Sequence, residues 1–115
     1  MDIVGSGVRV RVYFGEHDRA GQRALWSAML EYLRAHHAAG ATVTRGLAGY
    51  GAHSRIHAAT LVDLSSDLPL VLEWVDAEGR VAELLPGLMQ MVGGGLVTTD
   101  PVEVRHYAPH AEREP

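Results

Sequence analysis

The stretch from residue 68 to residue 75 constrains the fold more than any other part of the sequence. It reads LPLVLEWV, so apolar side chains occupy both the odd and the even positions. A strand with one wet face would instead alternate apolar and polar residues. We therefore expect a strand that is covered on both faces. In a chain of 115 residues, the expected cover for the second face is another subunit.

The other apolar periodicities predict strands and helices in a regular order. Helices are expected at residues 19–39 and 76–92, with Asp18 and Asp76 as N-caps and Gly40 as the C′ residue of the first helix. Pro86 should kink or split the second helix. Strands are expected at residues 8–14, 41–47, 55–64, 68–75, 96–99 and 102–107, with turns at 65–67 and 100–101.

This order predicts an α+β domain of the ferredoxin-like βαββαβ type with an extra C-terminal strand. Two helices would pack on one face of an antiparallel sheet, and the opposite face would be the assembly surface. We expect a single domain over residues 1–107 and a flexible tail over residues 108–115.

The composition narrows the classes of function. The net charge is −4, whereas a nucleic-acid-binding protein typically carries an excess of basic residues. The chain contains no Cys and no Lys, which excludes disulfides, thiolate catalysis and Schiff-base chemistry. No apolar run is long enough to span a bilayer, and the first residues do not resemble a signal peptide. We therefore expect a cytoplasmic protein.

Residues 45–57, RGLAGYGAHSRIH, form the stretch with the clearest functional pattern. Three glycines lie within six residues and are followed by His, Ser and Arg. Glycine lets a ligand approach the backbone closely, and Arg offers donors suited to phosphate or carboxylate. The pattern is typical of an anion-binding loop, but a plain strand–turn–strand segment explains it as well.

Other candidate groups also have two interpretations. His53 and His57 have the spacing of two metal ligands on a helix, but that spacing loses its meaning in an extended segment. Glu16 and Asp18 are either a metal-binding or proton-handling pair, or Asp18 simply caps the first helix. The triplet at residues 93–95 contacts a ligand or only ends the second helix.

Four segments carry a resemblance to a known family. They are YFGEHDR, GATVTRGLAGYGAHSRIH, LSSDLPLVLEWVD and LLPGLMQMVGGGLVTTDPVEV, in this order along the chain. Over residues 8–107 the chain closely resembles the PII-like family catalogued as domain-of-unknown-function 190. That family is similar to the PII nitrogen-regulatory signalling proteins and to the CutA-type trimers. The resemblance implies a homotrimer whose three sheets face inward.

The resemblance also implies a nucleotide site. In PII proteins an adenine nucleotide binds in the clefts between subunits, between the loop after the second strand and the loop after the second helix. By position these are residues 49–57 and 93–95, the latter running on into the fourth strand. The implied ligand-binding residues are Arg45, Gly49, Tyr50, Gly51, Ser54, Arg55, His57, Gly93, Gly94, Gly95, Val97 and Thr98.

The resemblance favours a regulatory, nucleotide-binding trimer. ATP, ADP or AMP would bind in the cleft, and the loop at residues 49–57 would regulate a partner protein, such as a membrane transporter or channel. The alternative is a CutA-like trimer that binds a divalent metal through its histidines. We do not expect an enzyme, because the sequence contains no recognisable nucleophile–base motif.

Overall fold

Four long strands form one antiparallel sheet in the computed structural model, which describes residues 3–51, 56–58 and 67–108. The strands and helices in chain order are β1 (Gly5–Gly15), α1 (Leu25–Ala35), β2 (Ala41–Arg45), β3 (Pro69–Ala77), α2 (Glu78–Met91) and β4 (Leu96–Val104). The strand order across the sheet is β2-β3-β1-β4. This arrangement confirms the ferredoxin-like α+β fold.

Both helices pack on one face of the sheet. Alternate residues of the central strands, such as Val12 on β1 and Trp74 on β3, are fully buried on this face. Met29 of α1 and Leu88 of α2 are buried in the same cluster. The period of two along each strand and of about 3.6 along each helix brings these side chains into one core. Leu33 of α1 and Leu84 of α2 are buried on the same sides of their helices, whereas Trp26 and Met89 are exposed.

The opposite face of the sheet carries cross-strand ion pairs between half-buried side chains. The Arg9 guanidinium donates to both carboxylate oxygens of Asp100, at 3.1 and 2.6 Å, and this bonding holds the pKa of Asp100 below its ordinary value. Arg11 donates to Glu73 at 3.0 Å, and that hydrogen bond raises the pKa of Arg11. Val71 and Val75 of β3 are only half-buried here. The covering subunit remains a prediction.

The first helix begins later than its periodicity indicates. Gly21, with a φ of +63°, lies in the turn between the two-residue strands Arg19–Ala20 and Arg23–Ala24, and α1 starts only after them. The predicted N-cap role of Asp18 is wrong. Its carboxylate accepts from the backbone N–H of Gly15 at 3.1 Å, and Ala24 is the N-cap residue.

The first helix also ends before the predicted glycine. It stops at Ala35, with His36 as the C-cap residue, and the chain turns at His37, which has a φ of +60°. The expectation that Gly40 is the C′ residue is therefore wrong. The ring of His36 also lies at the end of the helix, with its nitrogen Nδ1 2.8 Å from the carbonyl oxygen of Tyr32.

Asp76 is a buried residue of β3 and not a helix cap. Its side-chain oxygen Oδ2 accepts from the backbone N–H of Ala39 at 2.9 Å and from the indole N–H of Trp74 at 3.1 Å. Oδ1 accepts from the backbone N–H of Ala77, which is the N-cap residue of α2. A fully buried carboxylate needs such partners, because leaving its charge unpaired is costly. These distant partners, rather than the next helix, determine its position.

Neither internal proline breaks its element. Pro86 lies inside α2, which continues as one helix, so the predicted split is wrong. Leu84 and Leu88 on either side of it are buried in the core, and this packing keeps both halves of the helix in place. Pro101 lies within β4, so the turn at residues 100–101 and the separate strand at 102–107 are also wrong. Because β4 is at the sheet edge, the missing N–H of Pro101 breaks no ladder there.

The long connection between β2 and β3 is described only in part. The two-residue strands Ala48–Gly49 and His57–Ala58 pair with each other. The rest of the predicted strand at 55–64 and residues 65–66 of the predicted turn lie outside the described residues, apart from Ile56. The tail predicted at 108–115 also lies outside them, apart from Ala108.

Candidate functional site

A cavity of about 820 Å³ lies beside the C-terminal end of β1. Its size falls within the range of small-molecule sites, about 300–1,000 Å³. The two glycine-rich segments singled out in the sequence, at residues 49–51 and 93–95, both line it. Its lining residues are Tyr13, Phe14, Gly15, Asp18, Arg19, Leu25, Gly49, Tyr50, Gly51, Asp67, Pro69, Leu70, Gly93, Gly94, Gly95 and Leu96.

The triplet after α2 combines a steric role with open backbone. Gly95 has a φ of +139°, and a Cβ atom there would lie 2.5 Å from the carbonyl oxygen of Tyr13. Only glycine fits this position without displacing β1. A Cβ at Gly93 or Gly94 would meet nothing within 4 Å. The fold therefore does not require glycine at these two positions, which are exposed and line the cavity.

The loop after β2 is packed against the start of β3. The backbone N–H of Gly46 donates to the carbonyl oxygen of Pro69 at 2.7 Å, and a Cβ at Gly46 would lie 2.8 Å from the ring of Pro69. A Cβ at Gly49 would lie 3.1 Å from the same ring. Gly51 has no neighbour within 4 Å of such a Cβ. The first part of the loop is therefore fixed by packing, and Gly51 is free of that constraint.

Several predicted site residues lie away from the cavity. Arg45 forms an ion pair with Glu16 at 3.0 Å and does not line it. Val97 packs against the core, and Thr98 is exposed on β4. In the single chain, these three residues therefore belong to the sheet or to the protein surface and do not line the cavity. The resemblance placed them near the ligand by sequence position alone.

Other predicted residues are only partly described. Tyr50 lines the cavity with 71% of its surface exposed. Ser54 and Arg55 lie outside the described residues, as does His53 of the alternative metal site. The backbone of His57 pairs with Gly49, but its side chain is not described. Among the described residues, no group of three or more His, Asp or Glu side chains is placed to hold a metal ion.

Sequence reasoning missed two carboxylates as part of one site. Asp67 lines the cavity and accepts from the backbone N–H of His17 at 2.8 Å through Oδ1. Asp18 also lines it and is held by the N–H of Gly15. Glu16, the other member of the predicted pair, does not line the cavity and forms an ion pair with Arg45. Asp67 follows a turn pattern, and only the pairing of distant segments brings it beside residues 15–18.

The walls of the cavity differ in chemistry. Tyr13, Phe14, Leu25, Pro69 and Leu70 supply an apolar side suited to a flat ring. The glycine segments supply backbone, and glycine-rich backbone can present several N–H groups to an anion. Arg19 is the only cation among the described lining residues. The cavity thus offers an apolar wall for a ring, and it offers glycine backbone and Arg19 for an anionic group.

The fold belongs to the PII-like class. The chain superposes on CPII of Thiomonas intermedia K12, a nitrogen regulatory PII-like protein, with a TM-score of 0.65. The match covers 88% of this chain and 90% of that one. One structure of CPII is bound to ADP and bicarbonate, at 17% identity to this chain, and another to ADP, AMP and bicarbonate, at 16% identity. At this identity the likeness establishes the fold alone.

The chain belongs to the DUF190 family, described as uncharacterized ACR, COG1993, whose model matches residues 7–104. A UPF0166 protein of Aquifex aeolicus is 32% identical over 95 residues, which cover 83% of this chain and 90% of that protein. A UPF0166 protein of Methanocaldococcus jannaschii is 28% identical over 93 residues, covering 79% and 85%. The family expected from the four sequence segments is confirmed. None of the described helices is long and apolar enough to cross a membrane.

Proposed function

We propose that this chain is a PII-like regulatory protein that binds an adenine nucleotide between its two glycine-rich segments. The observation that carries the proposal is that residues 49–51 and 93–95, far apart in sequence, line one cavity of about 820 Å³. The PII-like fold and the ADP in the CPII structures support this choice of ligand. The chain acts by binding and not by catalysis.

The nucleotide would place its base and its phosphates on different walls. The aromatic and proline side chains that line the cavity would accept the adenine ring, and the glycine backbone at residues 93–94 would bind the phosphates. Arg55 supplies positive charge from the loop. ATP, ADP and AMP are the candidate ligands.

The binding experiment is calorimetry of the full chain with ATP, ADP, AMP, cyclic nucleotides and divalent metals, with and without Mg²⁺. Micromolar binding of an adenine nucleotide is the expected result. Arg55→Ala should weaken that binding about tenfold or more, because a charge-assisted hydrogen bond is lost. Arg34→Ala, on the exposed side of α1, is the matched control. Binding of metals alone would replace this proposal with the CutA-like one, which the CPII structures do not favour.

Assembly as a homotrimer is part of the proposal. The half-buried side chains on the open face of the sheet, with their charges paired across strands, suit burial against other copies. Val71→Asp places an unpaired charge on that face and should convert the trimer into a monomer in light scattering. Ala82→Asp, on the exposed side of α2, adds the same charge and should leave the trimer intact. A trimeric Val71→Asp protein would refute this placement of the interface.

Regulation of a partner protein, such as a transporter or channel, would use the loop at residues 49–57. Tyr50 and Ile56 are each 71% exposed, and Leu47 is 78% exposed. Large apolar side chains that are exposed together are typical of protein-binding surfaces. Ordering of such a loop by a ligand is a known way to couple binding to a partner. Hydrogen exchange of residues 49–57 should slow when ADP is added, and unchanged exchange would contradict this coupling.

A further inference from the structure

We propose that Asp18 and Asp67 bind the ribose hydroxyls of the nucleotide and thereby select ribonucleotides over their deoxy forms. The inference rests on the proposed nucleotide site. It adds which part of the nucleotide the two carboxylates bind. Both side chains line the cavity at the turn after β1.

Each carboxylate is already held in place by the protein. Oδ2 of Asp18 accepts from the N–H of Gly15 at 3.1 Å, and Oδ1 of Asp67 accepts from the N–H of His17 at 2.8 Å. Within the described residues, the second oxygen of each carboxylate receives no hydrogen bond. A carboxylate oxygen only accepts hydrogen bonds, so each of these two oxygens suits a donor on a ligand.

Gly15 makes room for this arrangement. A Cβ atom on Gly15 would lie 2.7 Å from Oδ2 and 2.9 Å from Oδ1 of Asp67. The carboxylate of Asp67 therefore lies directly against the backbone of β1, in space that any other residue at position 15 would fill. Asp18, three residues after Gly15, also contacts this glycine by accepting from its backbone N–H.

The charge of the two groups decides which part of the nucleotide they face. Two carboxylates repel phosphate oxygens at short range, and Arg19 is the only cation among the described lining residues. The phosphates therefore lie with the open glycine backbone, and the carboxylates face neutral donors. Ribose hydroxyls are such donors, and an acidic side chain is the usual acceptor for them in dinucleotide-binding folds.

The test measures the affinity of the full chain for ADP and for 2′,3′-dideoxy-ADP by calorimetry. We expect the wild type to prefer ADP about 30-fold, the size of effect that hydrogen bonds to charged groups produce. The double variant Asp18→Asn/Asp67→Asn should reduce this preference to about fivefold, because neutral hydrogen bonds are roughly half as strong. Asn keeps an acceptor for the backbone N–H groups, so the thermal midpoint should hardly change. Asp67→Asn alone serves if the double variant does not fold.

Glu103→Gln, on the exposed edge strand, removes one negative charge, as Asp67→Asn does, and should keep the 30-fold preference. A preference that stays near 30-fold in the Asp18→Asn/Asp67→Asn protein overturns the inference, and so does equal binding of the two nucleotides by the wild type. A preference that exists only with Mg²⁺ also overturns it, because the carboxylates would then hold a cation. If ADP does not bind at all, the proposed function itself fails and this inference fails with it.

Discussion

The loop after β2, residues 46–51, and the triplet after α2, residues 93–95, each contain glycines in different surroundings. Gly46 and Gly49 pack on the ring of Pro69, and Gly95 packs on the backbone of β1. Gly93 and Gly94 have nothing within 4 Å of the place where a Cβ would be. The comparison shows that a run of glycines combines positions that the fold needs with positions that it leaves open. Only the second kind points to a ligand, and substitutions to alanine can separate the two.

Gly95→Ala should have the largest effect on stability. The new methyl group would lie 2.5 Å from a backbone oxygen, and the φ of +139° is strained for alanine. We expect the free energy of unfolding to fall by about 3 kcal/mol, measured by urea denaturation. A loss below about 1 kcal/mol would mean that the segment relaxes easily and that Gly95 is not required by the fold.

Gly46→Ala should have a smaller but clear effect. Its methyl group would lie 2.8 Å from the Pro69 ring, which can shift more easily than a backbone oxygen. We expect a loss of about 1–2 kcal/mol in the same denaturation experiment. A loss equal to that of Gly95→Ala would remove the distinction between side-chain and backbone neighbours.

Gly49→Ala should cost less than Gly46→Ala. The nearest atom to its new methyl group is 3.1 Å away, so the Pro69 ring needs to move by only a few tenths of an ångström. We expect a loss of about 0.5 kcal/mol or less. Gly51→Ala, with no neighbour at this distance, is the matched control from the same loop. A larger loss for Gly51→Ala than for Gly49→Ala would contradict the packing described for this loop.

Gly94→Ala should change the stability of the fold with the opposite sign. Its backbone has no positive φ and its methyl group meets no neighbour, so the loss of freedom in the unfolded chain should stabilise the protein by about 0.4–1 kcal/mol. Under the proposed function, the same change should weaken ADP binding several-fold, because the methyl group hinders approach to the backbone. Unaltered ADP affinity would show that this open backbone does not contact the nucleotide.

The sequence predicted most elements whose pattern was local and periodic, although α1 is shorter at both ends than its pattern indicated. The alternation in β1 and β3 and the helical stripe around Met29 and Leu88 reappear as the buried core. Four segments in order also identified the family. Both glycine-rich segments were recognised in advance, and the structure brings them together. The predictions that depended on a single polar residue or a single proline were less successful.

Those failures have a common physical cause. Asp18 and Asp76 have the side chain of a helix N-cap, but their carboxylates accept hydrogen bonds from backbone N–H groups outside the helix that each was expected to cap. The partner of Asp76 is Ala39, 37 positions away in the chain. Pro86 and Pro101 are tolerated because the core holds one element together and the sheet edge leaves the other free. No local pattern encodes these circumstances.

By itself, the sequence determined the order of strands and helices, the residues that face the core and the family. Burial of apolar side chains drives these features, and its pattern is written in residues three or four positions apart or alternating. Only the tertiary structure decided which glycines are sterically required and that Asp67 joins Asp18 beside one cavity. Such outcomes depend on which distant backbone atoms come within hydrogen-bond or contact distance. Sheet pairing sets those distances, with His17 and Asp67 meeting across 50 positions of the chain.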